Sequence, residues 1–218
     1  MDLLRAVKNA FIPEQAEQLD SSKEARFLVV GLKGAGKSTL MKQLNLGEVV
    51  KFTPSPGFSY ETVKYNNLSL FCWDLGSNGE AQSVERMFYQ NTSGVIFVCD
   101  ANDEGSLDKV RDGLNRLLQE HELRGASILL LANKSDLPSS LPSMVVADRI
   151  GLVRLRYRRW THMSCVAMSG DRLREGLRWL KEQQDFRNQG ADDNQEKYSF
   201  LAHAPPTERA ERHYIPVL

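Results

Sequence analysis

Residues 26–39 read R-F-L-V-V-G-L-K-G-A-G-K-S-T, a short apolar run that breaks into a glycine-rich loop ending in Lys37, Ser38 and Thr39. Phe27 to Val30 is apolar and partly β-branched, as expected of a strand buried on both faces, and Gly31 stops it with a residue that tolerates any backbone geometry. A helix is expected from about Lys37. Between the two, G-x-x-x-x-G-K-S bends the chain so that N–H groups from Gly34 through Ala35, Gly36 and Lys37 to Ser38 face an anion on the positive end of that helix. Lys37 is expected to reach β- and γ-phosphates, and the Ser38 hydroxyl to hold Mg²⁺. Thr39 completes the phosphate-binding run.

A chain of 218 residues with 41% apolar content can build one full α/β domain plus tails. Its 28 acidic and 28 basic residues cancel, so the charge balance gives no reason to expect nucleic acid as a partner. Cys72, Cys99 and Cys165 fall within apolar runs without metal-ligand spacing and read as reduced core residues of an intracellular protein. No stretch approaches membrane-span length and no secretory signal is evident, so a cytoplasmic protein is expected, soluble or peripheral on a membrane.

Leu3, Leu4, Val7, Ala10 and Phe11 recur at helical spacing until Pro13, so residues 1–12 are expected to form an amphipathic helix that either docks on its own domain or makes weak, reversible contact with a membrane. Residues 1–22 comprise this helix and a polar linker, 23–186 the folded domain, and 187–218 a polar tail expected to be disordered. K-F-T-P-S-P-G-F-S-Y, with two prolines and a glycine, reads as a structured loop. Ser59 to Tyr65 and Leu68 to Leu75 read as strands joined by Asn66-Asn67 in a tight turn. Thereafter helices near 80–89, 106–121, 142–150 and 171–184 alternate with strands near 94–100, 127–133 and 160–165. Such alternation implies a six-stranded, mostly parallel sheet with helices on both faces.

A P-loop admits several nucleotides, and the next motif narrows the choice. A-N-K-S-D-L-P places Asn133, Lys134 and Asp136 at the carboxyl end of a parallel strand, where ligands bind in open α/β sheets. The Asp136 carboxylate can accept from both N1–H and the exocyclic amine of guanine, whereas adenine offers neither donor there, which disfavours an ATP-dependent kinase. Trp73-Asp74-Leu75-Gly76 ends a neighbouring strand, with Asp74 expected near Mg²⁺ through a water and Gly76 beside the phosphates. His121, His162, His203 and His213 show no triad or metal spacing and are expected at the surface.

G-L-K-G-A-G-K-S-T, P-S-P-G-F-S-Y-E-T-V, W-D-L-G-S-N-G-E, F-Y-Q-N-T-S-G-V-I-F-V, N-K-S-D-L-P and M-S-G-D-R-L-R-E-G-L-R-W-L resemble successive motifs of the Arf and Arf-like small GTPases, from about 26 to 184. The resemblance implies the small G-protein fold and a GTP/GDP switch using Mg²⁺ in membrane trafficking or related transport. It makes Ser55 the switch-one residue that joins Mg²⁺, Asp74 to about Phe88 switch two, and Phe58, Trp73 and Phe88 an aromatic patch for effectors. It places Val166 and Ala167 against the guanine and implies an exchange factor and an activating protein as further partners.

Three sites depart from the family's usual residues. Lys33 stands where an Asp or a small residue is usual, Ser55-Pro56 replaces Thr-Ile, and Ser77-Asn78 replaces Gly-Gln. Ser77, Asn78 and Lys33 are therefore the candidate catalytic residues of a weak hydrolase. The alternative is a non-hydrolysing GTP-binding scaffold.

Overall fold

The computed structural model describes residues 25–44, 50–55, 58–65, 68–75, 85–170 and 172–188, with the backbone alone at 50, 52–55, 58, 64–65 and 187–188. The N-terminal amphipathic stretch, Gly76, Ser77 and Asn78, the Asn66-Asn67 turn and the C-terminal tail lie outside the described residues.

Strands β1 (Ala25–Gly31), β2 (Val50–Ser55), β3 (Phe58–Tyr65), β4 (Leu68–Asp74), β5 (Gly94–Asp100), β6 (Ser127–Asn133) and β7 (Trp160–Ser164) form one sheet in the order β2-β3-β4-β1-β5-β6-β7. The six expected strands are all there, and β2 adds a seventh from the stretch read as a loop. Prolines argued against a strand, but β2 is an edge, where a missing N–H need not break a ladder, and its register with β3 shifts between Phe52 and Ser55. Strands β3 and β4 are antiparallel, with Tyr65 opposite Leu68 in their register. From β4 through β7 every neighbouring pair is parallel.

Helices α1 (Lys37–Gln43), α2 (Leu107–Gln119), α3 (Ser143–Arg149) and α4 (Leu173–Asn188) cover the sheet. Alternate residues of each central strand serve opposite faces. Leu28 and Val30 pack with Phe97, Leu130 and the apolar stripes of α2 and α3, while Phe27 and Val29 pack with Leu40 and Met41 of α1 and with Leu180 of α4. Each such side chain, fully removed from water, contributes about 1.5–3 kcal/mol, so β1 is held rigidly at the centre. That rigidity positions the loop that follows it. Only the last helical turn expected before Tyr89, at 85–87, falls within the described residues.

Candidate functional site

The carboxyl ends of β1, β5 and β6 form one edge of the sheet, and three loops leave from it. β1 ends at Gly31, where a Cβ would lie 2.1 Å from the Val98 carbonyl oxygen of β5, so the close strand approach excludes any other residue. The loop then turns through Gly34 and Gly36, both left-handed at φ 85° and 97°, with the Ala35 N–H donating to Leu32 O at 3.2 Å. Gly36 caps α1 without any side-chain hydrogen bond, which leaves the first-turn N–H groups facing outward as donors. A cavity of about 170 Å³ opens beside this loop, lined among others by Lys33, Gly34, Ala35, Asp100 and Lys134.

Asn133, at the end of β6, is buried and ties two loops together. Its Nδ2 donates to Ala35 O at 2.8 Å, and its Oδ1 accepts from the Ala167 N–H at 2.8 Å. A Cβ on Gly36 would lie 2.2 Å from that Nδ2, so the second loop glycine is required for contact with Asn133 as well as for its backbone angle. The expected guanine loop, Val166-Ala167, is thereby fixed relative to the phosphate loop. Ser135 reinforces this with both N–H and Oγ donating to Cys165 O, at 3.2 and 3.0 Å.

Lys134 adopts φ 64°, and its Nζ meets Asp100 Oδ2 at 2.5 Å. That left-handed step turns the chain outward, so Asp136 is exposed and makes no hydrogen bond or ion pair among the described residues. Its carboxylate has acceptor capacity for a base. Val166 is half-buried and Ala167 buried; Thr39 is exposed on α1, and Lys33 is exposed at the loop tip.

Lys37 is buried, and its ammonium is fully engaged: it donates to Gly31 O at 2.8 Å and Leu32 O at 2.7 Å, and pairs with Asp74 Oδ1 at 2.6 Å. Ser38 Oγ donates to Glu61 Oε1 at 3.0 Å. Among the described residues Glu61 Oε2 is buried with no hydrogen-bond partner, on the same carboxylate whose other oxygen accepts from Ser38. A hydroxyl, an exposed carboxylate at Asp74 and this orphaned carboxylate oxygen form an all-oxygen donor set of the kind a hard divalent cation takes. The residues present therefore fit Mg²⁺.

Two members of this site were not singled out in the sequence. Asp100 pairs with Asn133 in the β5–β6 register, so it stands at the same carboxyl edge, and its position at the end of a parallel strand was the available signal. Glu61 had none, because its approach to Ser38 depends on how β3 registers against β4.

The aromatic residues differ from expectation. Trp73 and Phe88 lie in the core and not on the surface, with ring centroids 5.4 Å apart, and Phe88 also packs on Tyr60 at 4.8 Å and Phe71 at 5.6 Å. Four rings gain more from mutual burial than from exposure. The three cysteines are buried and free, as expected. His162 departs from the expected surface position: it is half-buried, with Nδ1 2.9 Å from Ser143 Oγ, whereas His121 is exposed.

The sequence profile of the ADP-ribosylation factor family matches residues 13–184. Among solved structures, the chain is similar in fold to the Arl6 (BBS3) small GTPase from Trypanosoma brucei, determined with the nucleotide analogue GppNp bound. The two are 22% identical with a TM-score of 0.61, over 74% of this chain and 98% of that one.

Proposed function

The chain belongs to the ADP-ribosylation factor family of small GTPases, and from that premise we propose that it is a switch that binds GTP and GDP with Mg²⁺ and recruits effectors while GTP is bound. The observation that carries this reading is the Asn133 side chain, which joins the phosphate loop at Ala35 to the 166–167 loop and so builds a phosphate subsite and a base subsite as one unit. Asp136 supplies the choice of guanine, and Lys134, held by Asp100, forms the wall between the two subsites.

Ser38 and Asp74, with Glu61 beside them and Ser55 by resemblance to the family, would hold Mg²⁺, which when bound supplies charge neutralisation for the phosphates. Gly34 to Ser38 orient the phosphates through their N–H groups, and Lys37 changes partner from Asp74 to a phosphate oxygen. Asn78 replaces the glutamine that aligns water, and Ser77 replaces a glycine, so hydrolysis is slow. Ser77-Asn78 is also the feature that favours a second reading, a GTP-binding scaffold that does not hydrolyse.

A role in membrane trafficking, with residues 1–12 touching a membrane, and control by an exchange factor and an activating protein, complete the proposal. The proposed contact of a cytoplasmic protein with the bilayer is peripheral; among the described residues no helix is long and apolar enough to cross a membrane. Effector contact through Phe58, Trp73 and Phe88 requires the aromatic cluster around Phe88 to open, because Trp73 and Phe88 are core residues in this arrangement.

Acid extraction of the purified protein followed by nucleotide chromatography, with titrations of GTP, GDP and ATP, tests the reading. Co-purified guanine nucleotide and discrimination against ATP are expected. Equal affinity for ATP would overturn it.

A further inference from the structure

From Arg149 to Gly170 the chain carries five arginines and no acid, and four of the five fall within residues 154–159, directly before β7. Because β1, β5, β6 and β7 run parallel, this segment lies at the pole where all four strands begin, opposite the edge that bears the nucleotide site. It is firmly held there: the Ile128 N–H donates to Arg159 O at 2.9 Å, and Arg158 turns inward to donate to Leu123 O at 2.5 Å, capping a 3₁₀ turn (His121–Leu123).

Leu155 packs against the core and the half-buried Arg159 lies over the Phe186 ring, 5.0 Å from its centroid, while Arg154, Arg156 and Tyr157 face outward. Arg154 and Arg156 are exposed and make no ion pair among the described residues. Tyr157, between Arg156 and Arg158, is 95% exposed, and Val153 beside Arg154 is also exposed. Arg124 adds an exposed cation whose charge is close enough to act on Arg158. Of the acids of the neighbouring turn, Glu120 is engaged elsewhere, accepting from Arg86 at 3.1 Å, which leaves the exposed Glu122 as the turn's one carboxylate without an ion pair among the described residues.

We propose that this arginine loop docks the protein on a bilayer surface rich in anionic headgroups. Guanidinium groups match phosphate geometry, and an amphipathic tyrosine ring set among them suits the headgroup layer. A chain of zero net charge that concentrates cations and an exposed aromatic at one pole is built for a one-sided, flat anionic partner. The chain also enters β1 at this pole, at Ala25, the end of the strand to which the proposed N-terminal anchor is joined in sequence. Two weak anchors acting together can hold a protein that one alone would release. The inference stands independently of which nucleotide is bound.

The test is co-sedimentation of the full chain with phosphatidylcholine vesicles and with vesicles in which a third of the lipid is phosphatidylserine, at low and at physiological salt. Preference for the anionic vesicles, weakened by salt, is expected. R154Q/R156Q should lose about fivefold per arginine, on the order of 25-fold for the pair, on anionic vesicles only. Thermal melting of this variant should be unchanged, since neither side chain has an ion pair to lose among the described residues. By contrast, L3S/L4S should lower binding to both vesicle types, which separates failure of the N-terminal reading from failure of this one. Equal binding to neutral vesicles, no binding to anionic ones, or full binding by R154Q/R156Q would overturn the proposal. So would capture of polyglutamate in place of vesicles, which would assign the patch to an acidic protein.

Discussion

Replacing Asn133 with alanine should damage binding of every nucleotide, whatever its base. The buried amide makes two hydrogen bonds of 2.8 Å, one to the phosphate loop at Ala35 O and one from the Ala167 N–H. Asn133→Ala removes both partners and leaves a buried carbonyl and a buried N–H unsatisfied, at about 1–3 kcal/mol each. Some relief comes because Gly36 packs against Asn133, and the freed space would admit water. The net loss is about 2–5 kcal/mol, which for a domain of this size lowers Tm by roughly 5–15 °C. The assay is a melting curve without nucleotide, then titration of fluorescent GDP and IDP, which differ at the base amine. Both affinities should fall together, because the lost element positions the two loops and not the base. An unchanged Tm, or a loss confined to GDP, would refute the argument that Asn133 is a tie between subsites.

Asp136→Ala should behave oppositely, leaving Tm unchanged because the carboxylate has no partner among the described residues, while weakening GTP and GDP on the order of 100-fold in equilibrium titration, the cost of about 3 kcal/mol of charge-assisted hydrogen bonding to the base. Single-turnover hydrolysis without a partner should run below about 10⁻⁴ per second, with Asn78→Gln raising it and Lys33→Ala lowering the remainder; a wild-type rate well above that level would show that Lys33 or Ser77 supplies another catalytic arrangement. Burial pushes the Cys72 and Cys99 thiols up to about 12 from an ordinary 9. The unfolded chain therefore loses these protons first, and the stabilisation present below about pH 9 declines as pH rises toward 12. Denaturant midpoints should fall between pH 8 and pH 10, and iodoacetamide should leave the folded protein unmodified at pH 8.

What could be read in the sequence was local. The β1 strand, the glycine loop and the Lys37 helix are consecutive, and their chemistry depends on spacing within fourteen residues. Asn133-Lys134-Ser135-Asp136 was legible for the same reason, although the direction in which Asn133 points, toward the phosphate loop, was not. Glu61 escaped notice because it matters only through the register of β3 against β4, whereas Asp100 carried a signal, the end of a parallel strand, whose meaning came only with its pairing to Asn133. Strand β2 was missed because Pro54 and Pro56 read as breakers, a rule that an edge position relaxes. Trp73 and Phe88 were assigned to a surface by resemblance, but the packing of Phe88 against Tyr60, Phe71 and Trp73 depends on how three separate segments meet.

The engagement of Lys37 makes phosphate capture an exchange reaction. Its ammonium already has two carbonyl oxygens and the Asp74 carboxylate around it, so the buried charge is balanced before any ligand arrives. An incoming phosphate substitutes one anion for another, so its net gain at Lys37 is the difference between two ion pairs. Asp74, once displaced, becomes available to the cation corner shared with Ser38 and Glu61. Phosphate and metal should therefore bind with positive coupling, each favouring the arrangement the other needs, and loss of either should return Lys37 to Asp74 without leaving an uncompensated charge inside the fold.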